Sequence, residues 1–318
     1  MEPRAGAQQE APVLGSVLNE ENDGAMSREM AIFIVGMFDL GSLYALVGVG
    51  FVILYRSTRV LNFAQGAFML IGAEVFTTLV ATDHITWWFA LPISMVATSV
   101  FGSIIYVVFF RRLVGAEPFV LVIASLGLNV VLVAASDMAW GPSTRLLPSL
   151  ISRNALFTAG GVSLEPFDLF SILFPVVVIV ALELQLRHTR LGTQMRAVAD
   201  SPLFASQTRI SVHRISAIAW MIAAGCGAGA GIIYAIGNGV SPEPLETLGI
   251  FVFPAVFLGG LDSIKGALVG GYLLALLQNG TTYYISGTYT VVVPFLVLIV
   301  VLLVRPTGIF GSREVVRL

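Results

Sequence analysis

The sequence predicts an all-α protein, built as a polytopic bundle of transmembrane helices. Hydrophobic residues make up 57% of the 318 residues and charged residues only 11%, whereas soluble proteins average roughly 25% charged residues. The mean hydropathy is +0.90, and many apolar runs approach the roughly 20 residues that a helix needs to cross a bilayer. None of them alternates apolar and polar residues as the strands of a membrane barrel do.

The apolar runs predict about eight or nine membrane spans. The seventh run is short, and residues 249–284 could instead form one broken unit, because Pro254 and the Gly259-Gly260 pair interrupt it. The predicted spans cover residues 31–55, 60–81, 87–110, 119–140, 168–186, 215–236, 249–261, 266–284 and 288–304.

Basic residues follow every second predicted span, which sets the orientation under the positive-inside rule. They fall on one side if residues 249–261 cross fully, so that the amino terminus lies outside and the carboxyl terminus inside. If that segment is re-entrant instead, the last loop and the tail change sides. The basic clusters are Arg56 and Arg59, Arg111 and Arg112, the segment 187–214, Lys265, and finally Arg305, Arg313 and Arg317.

These assignments divide the chain into three parts. Residues 1–30 are polar and acidic, and we expect a disordered extension outside the membrane. Residues 31–308 form the transmembrane domain, and residues 309–318 form a cytoplasmic tail.

The segment 187–214 is a long, basic and polar stretch between two apolar runs. A protein that only needed to span the bilayer would use a short turn here. A first short helix is predicted over residues 192–200, in which Arg196 and Asp200 stand one turn apart and can pair weakly.

A second short helix is predicted over residues 203–209, after the helix-start signal Ser201-Pro202. Leu203, Phe204 and Ala205 give it an apolar patch with a basic rim. That shape suits a cleft on a partner protein, and an amphipathic helix lying on anionic lipid is the alternative. The residues by themselves favour neither interpretation.

Polar side chains inside the spans are candidates for a pathway through the membrane. A charge at the bilayer centre costs roughly 2.5–3.5 kcal/mol, so Asp39 and Glu74 call for a reason. Either they contact a solute, or they form hydrogen bonds between helices. The same two interpretations apply to the neutral candidates Tyr44, Asn62, Gln65 and Asn129.

Glycines near residues 259–270 are candidates for close helix packing. Gly266 and Gly270 are four residues apart, a spacing that lets helix backbones approach. Gly259 and Gly260 loosen the end of the preceding helix, and Asp262 or Ser263 can cap the next one.

Three ordered motifs resemble the branched-chain amino acid permease family of ABC importers, over residues 36–308 and at matching spacing. The family usually has histidine where Gln65 stands and glycine where Arg209 stands. The motifs are Gly41 to Leu46 with Leu61 to Gly66 and Gly72-Ala73; Gly192, Arg196, Ala197, Ala199, Asp200, Ala205 and Ile210; and Leu258 to Ser263 with Gly266-Ala267 and Gly270-Gly271.

The resemblance implies a type II ABC-importer-like permease in the bacterial inner membrane. Such a permease carries branched-chain amino acids or related small polar solutes, and the segment 187–214, Leu203 included, couples it to ATPases. The implied partners are a second related permease, two cytoplasmic ATPase subunits and an extracytoplasmic solute-binding protein, besides membrane lipid.

No chemistry is expected in this chain itself. It has no GxxxxGK[ST] motif, so ATP and Mg²⁺ are expected on the ATPase subunits. We expect no catalytic residue, bound cofactor, metal or nucleic acid. The alternative function is an ion-coupled secondary transporter or channel without ATPase partners, in which Asp39 and Glu74 couple ions.

Overall fold

A computed structural model of the protein describes residues 11–152, 154–159 and 162–311. In these residues the chain forms eleven α-helices, two 3-10 helices and one antiparallel β-hairpin. The helices are α1 (Ala11–Thr58), α2 (Gln65–Ala81), α3 (Trp87–Val108), α4 (Pro118–Trp140), α5 (Pro166–His188), α6 (Arg190–Asp200), α7 (Pro202–Gln207), α8 (Val212–Asn238), α9 (Pro242–Gly259), α10 (Ile264–Tyr284) and α11 (Val292–Val304). The 3-10 helices are Phe110–Leu113 and Gly287–Val291, and the strands are β1 (Phe157–Ala159) and β2 (Val162–Leu164).

The prediction of a helical transmembrane bundle is confirmed. Within the described residues, six helical stretches are long and apolar enough to cross a membrane, and the pair α9–α10 makes a seventh. α2 is a shorter apolar helix of 17 residues. The broken unit predicted near residues 249–284 corresponds to α9 and α10, which meet at an angle of 117°.

Two predicted helix starts are wrong by one or two turns. α9 begins at Pro242 instead of residue 249, because a proline at the first helical position suits a helix start and the acidic residues that follow it continue the helix. The second span was expected from residue 60, but α2 begins at Gln65 and residues 59–64 are not helical.

The ends of the chain fall only partly within the described residues. α1 begins at Ala11, inside the segment for which we predicted disorder, and the alanine, leucine, glutamate and methionine residues there favour helix. Residues 1–10 and 312–318 lie outside the described residues, so the disorder of the first and the position of most of the tail stay predictions.

α8 is the central helix of the bundle, and its small residues let three other helices approach closely. A Cβ atom on Gly231 would collide with the backbone of Met69 in α2, and one on Gly225 would collide with Ser99 in α3. On α1, a Cβ atom on Gly50 would collide with the side chain of Cys226 in α8. Side-chain volume is excluded there, so van der Waals packing of backbones holds the bundle together.

One end of the bundle collects basic residues from distant parts of the chain, and we call it the basic face. A cavity of about 490 Å³ lies there between α1, α6, the α9–α10 turn and the segment after α11. The amides of Ile309 and Phe310 donate to the carbonyls of Leu258 and Gly259, both at 2.9 Å, and tie that segment to the turn. The lining of the cavity includes Tyr55, Arg56, Arg59, Arg196, Asp200, Asp262 and Thr307.

α10 runs from the basic face to the opposite face of the bundle. Its last residues, Tyr283 and Tyr284, make edge contacts with Phe33 near the start of the apolar part of α1. α9 begins beside the loop after α4, where Val240 and Arg145 form a β-bridge, and it ends at the basic face.

Candidate functional site

The two short helices predicted in the segment 187–214 are α6 and α7. The Ser201 hydroxyl accepts a hydrogen bond from the Phe204 amide at 3.4 Å, and Pro202 occupies the first helical position of α7. Gly192 lies against the end of α5, where a Cβ atom would collide with the Leu186 carbonyl. The predicted start signal Ser201-Pro202 therefore operates as expected.

Arg196 does not form the pair with Asp200 that the spacing predicted. Its guanidinium donates to the Leu186 carbonyl at 3.1 Å and to the Thr193 hydroxyl at 3.2 Å. Leu186 lies in the last turn of α5, where carbonyls have no partner within the helix. Its carbonyl therefore accepts the Arg196 guanidinium in place of the Asp200 carboxylate. Arg196 thus fastens α6 to the end of α5, and Asp200 lines the basic-face cavity.

α7 presents an apolar patch on the surface of the described chain. Leu203 is 67% exposed and Phe204 is 68% exposed. The next residue, Ala205, is buried and anchors the helix, and its carbonyl accepts the Ile210 amide at 3.2 Å. Ala197 of α6 is half-buried. The patch is therefore carried by a short helix with a fixed base.

The glycines predicted to allow close packing do so at the α9–α10 turn. Cβ atoms on Gly259 and Gly266 would each collide with the backbone of the other, and one on Gly270 would collide with the Ala255 carbonyl. Gly260 has φ +114°, a left-handed conformation that favours glycine, and it touches Gly311.

The polar candidates of α1 take part in contacts between helices. Tyr44 is buried and donates to the Gln278 side chain of α10 at 2.7 Å. The Asp39 carboxylate accepts a hydrogen bond from the Ser171 hydroxyl of α5 and lines a cavity of about 290 Å³. The structure does not bring these two residues together with the other candidates.

Glu74 forms a buried ion pair. Its carboxylate is 2.6 Å from the Arg145 guanidinium, which the loop after α4 supplies, and the Glu74 side chain is 1% exposed. Arg145 also donates to the Thr78 hydroxyl at 3.3 Å. This geometry favours the structural interpretation of Glu74, in which the pair holds a loop onto α2.

Asn62 and Gln65 shape the non-helical entry to α2. The Asn62 side chain accepts a hydrogen bond from the Ala64 amide at 3.1 Å and donates one to the side-chain Oε1 of Gln65 at 3.4 Å. Gln65 in turn donates to the Ala223 carbonyl of α8 at 2.8 Å. Both side chains are buried, so they stabilise an irregular backbone segment in the middle of the bundle.

Asn129 has a partner that sequence reasoning missed. Its amide donates to the Glu246 carboxylate at 2.6 Å, across the space between α4 and α9. Residue 246 precedes the predicted seventh span, which starts at residue 249, but Glu246 lies one turn into α9. The missed signal was the proline pair at 242 and 244, which starts a helix before the apolar run.

Aromatic side chains lie on the basic-face side of Glu246. The rings of Phe63 and Phe253 are 4.7 Å apart, and Phe253 stands about two turns after Glu246 on α9. The Phe63 amide donates to the Ser125 hydroxyl of α4 at 3.2 Å. The non-helical segment 59–64 therefore contacts both α4 and α9, on the basic-face side of the hydrogen-bonded pair Glu246 and Asn129.

No group of three or more His, Cys, Asp or Glu side chains within the described part of the chain could hold a metal ion.

The comparisons with known proteins point to one family. Residues 33–302 match the family model described as branched-chain amino acid transport system / permease component. The high-affinity branched-chain amino acid transport system permease protein LivH of Escherichia coli (strain K12) is 30% identical over 308 residues, covering 91% of this chain and 99% of that protein. The corresponding protein BraD of Pseudomonas aeruginosa is 31% identical over 294 residues, covering 89% and 96%.

A solved structure titled "PsaBC from Streptococcus pneumoniae in complex with Fab" superposes over 92% of this chain and 98% of that chain, with 10% identity and a TM-score of 0.47. That score is too low to assign a shared fold.

Proposed function

This chain belongs to the branched-chain amino acid permease family, and on that premise we propose that it is the membrane-spanning subunit of an ATP-driven importer. Family membership makes it a multi-pass membrane transport subunit. The proposal adds the energy source, the solute and the partners. In this proposal the chain forms the pathway for branched-chain amino acids or related small polar solutes.

The observation that carries the proposal is the exposed apolar patch of α7 at the end of the bundle that carries α6. A soluble ATPase subunit has a surface that can cover Leu203 and Phe204, which are otherwise exposed beside basic residues. Gly192, Arg196, Ala197, Asp200, Leu203, Ala205 and Ile210 make up the coupling segment in this proposal.

Movement of the coupling segment can reach the membrane helices through direct contacts. Arg196 and Gly192 fasten α6 to the end of α5, and Val198 of α6 is buried in the bundle. ATP and Mg²⁺ are held by the two ATPase subunits, and closure of those subunits would push α7 and α6. Rigid helices packed backbone to backbone would then rock between outward and inward access.

The remaining partners and the orientation follow from the same proposal. A second related permease completes the pathway, and an extracytoplasmic binding protein delivers the solute. The basic face is cytoplasmic, because Arg56, Arg59 and Arg196 gather there, and the apolar part of α1 begins at the outer face. The inner membrane of a bacterium is the proposed location.

The secondary-transporter alternative draws less support from the geometry. Glu74 is neutralised by Arg145 at 2.6 Å, so it is not available to bind and release an ion in this conformation. Asp39 remains as an acid beside a cavity.

Affinity purification of the chain from native membranes in mild detergent, followed by mass spectrometry, tests the proposal. We expect P-loop ATPases and a second permease to co-purify. A lone chain or homo-oligomer that transports leucine in liposomes without ATP would contradict the importer and favour the secondary transporter.

A further inference from the structure

We propose that Glu246 and Asn129 bind the ammonium group of the transported amino acid, midway along the pathway. The inference rests on the proposed function, because it names the residues that recognise the solute inside the permease.

Glu246 is an acid inside the bundle that no described lysine or arginine neutralises. Its carboxylate accepts the Asn129 amide at 2.6 Å, and within the described residues no lysine or arginine pairs with it. Glu74, by contrast, has Arg145. An isolated charge at this depth costs roughly 2.5–3.5 kcal/mol, so a cation that binds here gains a strong attraction.

The acceptors around this point suit an ammonium group. Glu246 is half-buried, so part of its side chain stays accessible, while the Asn129 Oδ1 atom is buried without a hydrogen-bond partner in the described chain. An ammonium group has three donors and no acceptor, and it can donate to the carboxylate and, once α4 and α9 separate, to Oδ1 as well.

The pair lies between α4 and α9, beside irregular backbone and two aromatic side chains. The segment 59–64 is non-helical beside it, and irregular backbone at membrane depth occurs where protein covers it or a cavity is lined. Phe63 and Phe253 are half-buried and their rings meet at 4.7 Å on the basic-face side. An amino acid held by Glu246 would therefore place its apolar side chain near this aromatic pair.

Uptake by the complete importer in proteoliposomes tests the inference, with L-leucine as the probe. Glu246→Gln should lower ATP-dependent uptake about tenfold or more, because a charged hydrogen bond is lost. Glu246→Asp should retain part of it. Glu243→Gln changes an exposed acid one turn earlier on α9 and should transport normally. Wild-type uptake by Glu246→Gln would overturn the inference.

A second measurement keeps the test valid if the variant fails to assemble. A membrane-permeant carbodiimide modifies embedded carboxyl groups of the wild-type complex, and mass spectrometry locates them. L-leucine delivered by the binding protein should slow modification of Glu246, whereas 4-methylpentanoate, which lacks the ammonium group, should not. Equal modification with and without leucine would overturn the inference. Failure of the wild-type complex to take up leucine with ATP would overturn the proposed function itself, and this inference with it.

Discussion

At the scale of single residues, the left-handed backbone of Arg209 shows what its departure from the family pattern costs. Arg209 has φ +63°, and the family usually has glycine at this position. A left-handed conformation costs a non-glycine residue about 1 kcal/mol or more. Arginine here therefore adds strain at the end of α7, next to the segment proposed to contact the ATPase.

Arg209→Gly should raise the melting temperature of the purified protein, because the strain is removed. The gain in unfolding free energy should be up to about 1 kcal/mol. Thr208→Gly is the matched control, since Thr208 has φ −91° and gains nothing from glycine. A melting temperature equal to or below the wild-type value for Arg209→Gly would contradict the strain.

The buried ion pair of Glu74 and Arg145 predicts a strong asymmetry between single and double variants. Arg145→Leu leaves a buried carboxylate unpaired, and breaking such a pair costs about 3–5 kcal/mol. The double variant Glu74→Leu with Arg145→Leu removes both charges and should recover most of that stability. Thermal unfolding of the wild type and the two variants measures this, and a double variant as unstable as Arg145→Leu would show that the unpaired carboxylate is not the cause of the loss.

At the scale of helices, the contact between α9 and α10 depends on the absence of a side chain. Gly270→Ala should sharply lower the yield of folded protein, because overpacking of a tight contact costs about 1–3 kcal/mol. Gly280→Ala lies on the same helix with open space around it, so it should be neutral or mildly stabilising. The two variants are compared by size-exclusion chromatography in detergent. Equal profiles would contradict the role of Gly270 in close helix packing.

The sequence was most informative about elements that local signals define. Ser201 and Pro202 start α7 through a cap and a fixed φ, and both act within a few residues of chain. The predicted span began only at residue 249, whereas α9 already includes Glu246. The Glu246 carboxylate accepts a hydrogen bond from Asn129, more than a hundred residues earlier in the chain. Such a pairing depends on the packing of the whole bundle.

The same limit applies to the candidate site. Asn62, Gln65 and Asn129 were identified as polar groups inside spans, but only the arrangement of α2, α4, α8 and α9 shows what each one contacts. Arg196 was expected to contact Asp200 one turn away and instead contacts α5. A short-range rule failed there because an unpaired carbonyl at a helix end is the better acceptor.

At the scale of the whole molecule, a continuous series of contacts joins the basic face to the membrane helices. α7 carries the exposed patch, α6 fastens it to α5 and α1, and the α9–α10 turn lies across the same cavity. The polar pair of Glu246 and Asn129 stands farther inside the bundle. In this account, ATP-driven movement at the basic face changes access to the pair inside the bundle.

Capture of the ATPase subunits should depend on the patch of α7. Leu203→Ala combined with Phe204→Ala should lower the ATPase recovered with the tagged permease about tenfold, because two exposed apolar side chains at an interface are lost. Leu303→Ala removes a leucine that is 80% exposed at the end of α11 and should leave recovery unchanged. Equal recovery for all variants would place the contact elsewhere.

The most direct test of the account is leucine uptake by proteoliposomes that contain the purified complex and the solute-loaded binding protein, with and without enclosed ATP. The account predicts that uptake requires ATP, and that the variant with Leu203→Ala and Phe204→Ala loses uptake although its permease remains folded. Uptake by the permease at the same rate without ATP, or undiminished uptake by that variant, would contradict the claim that α7 couples transport to an ATPase.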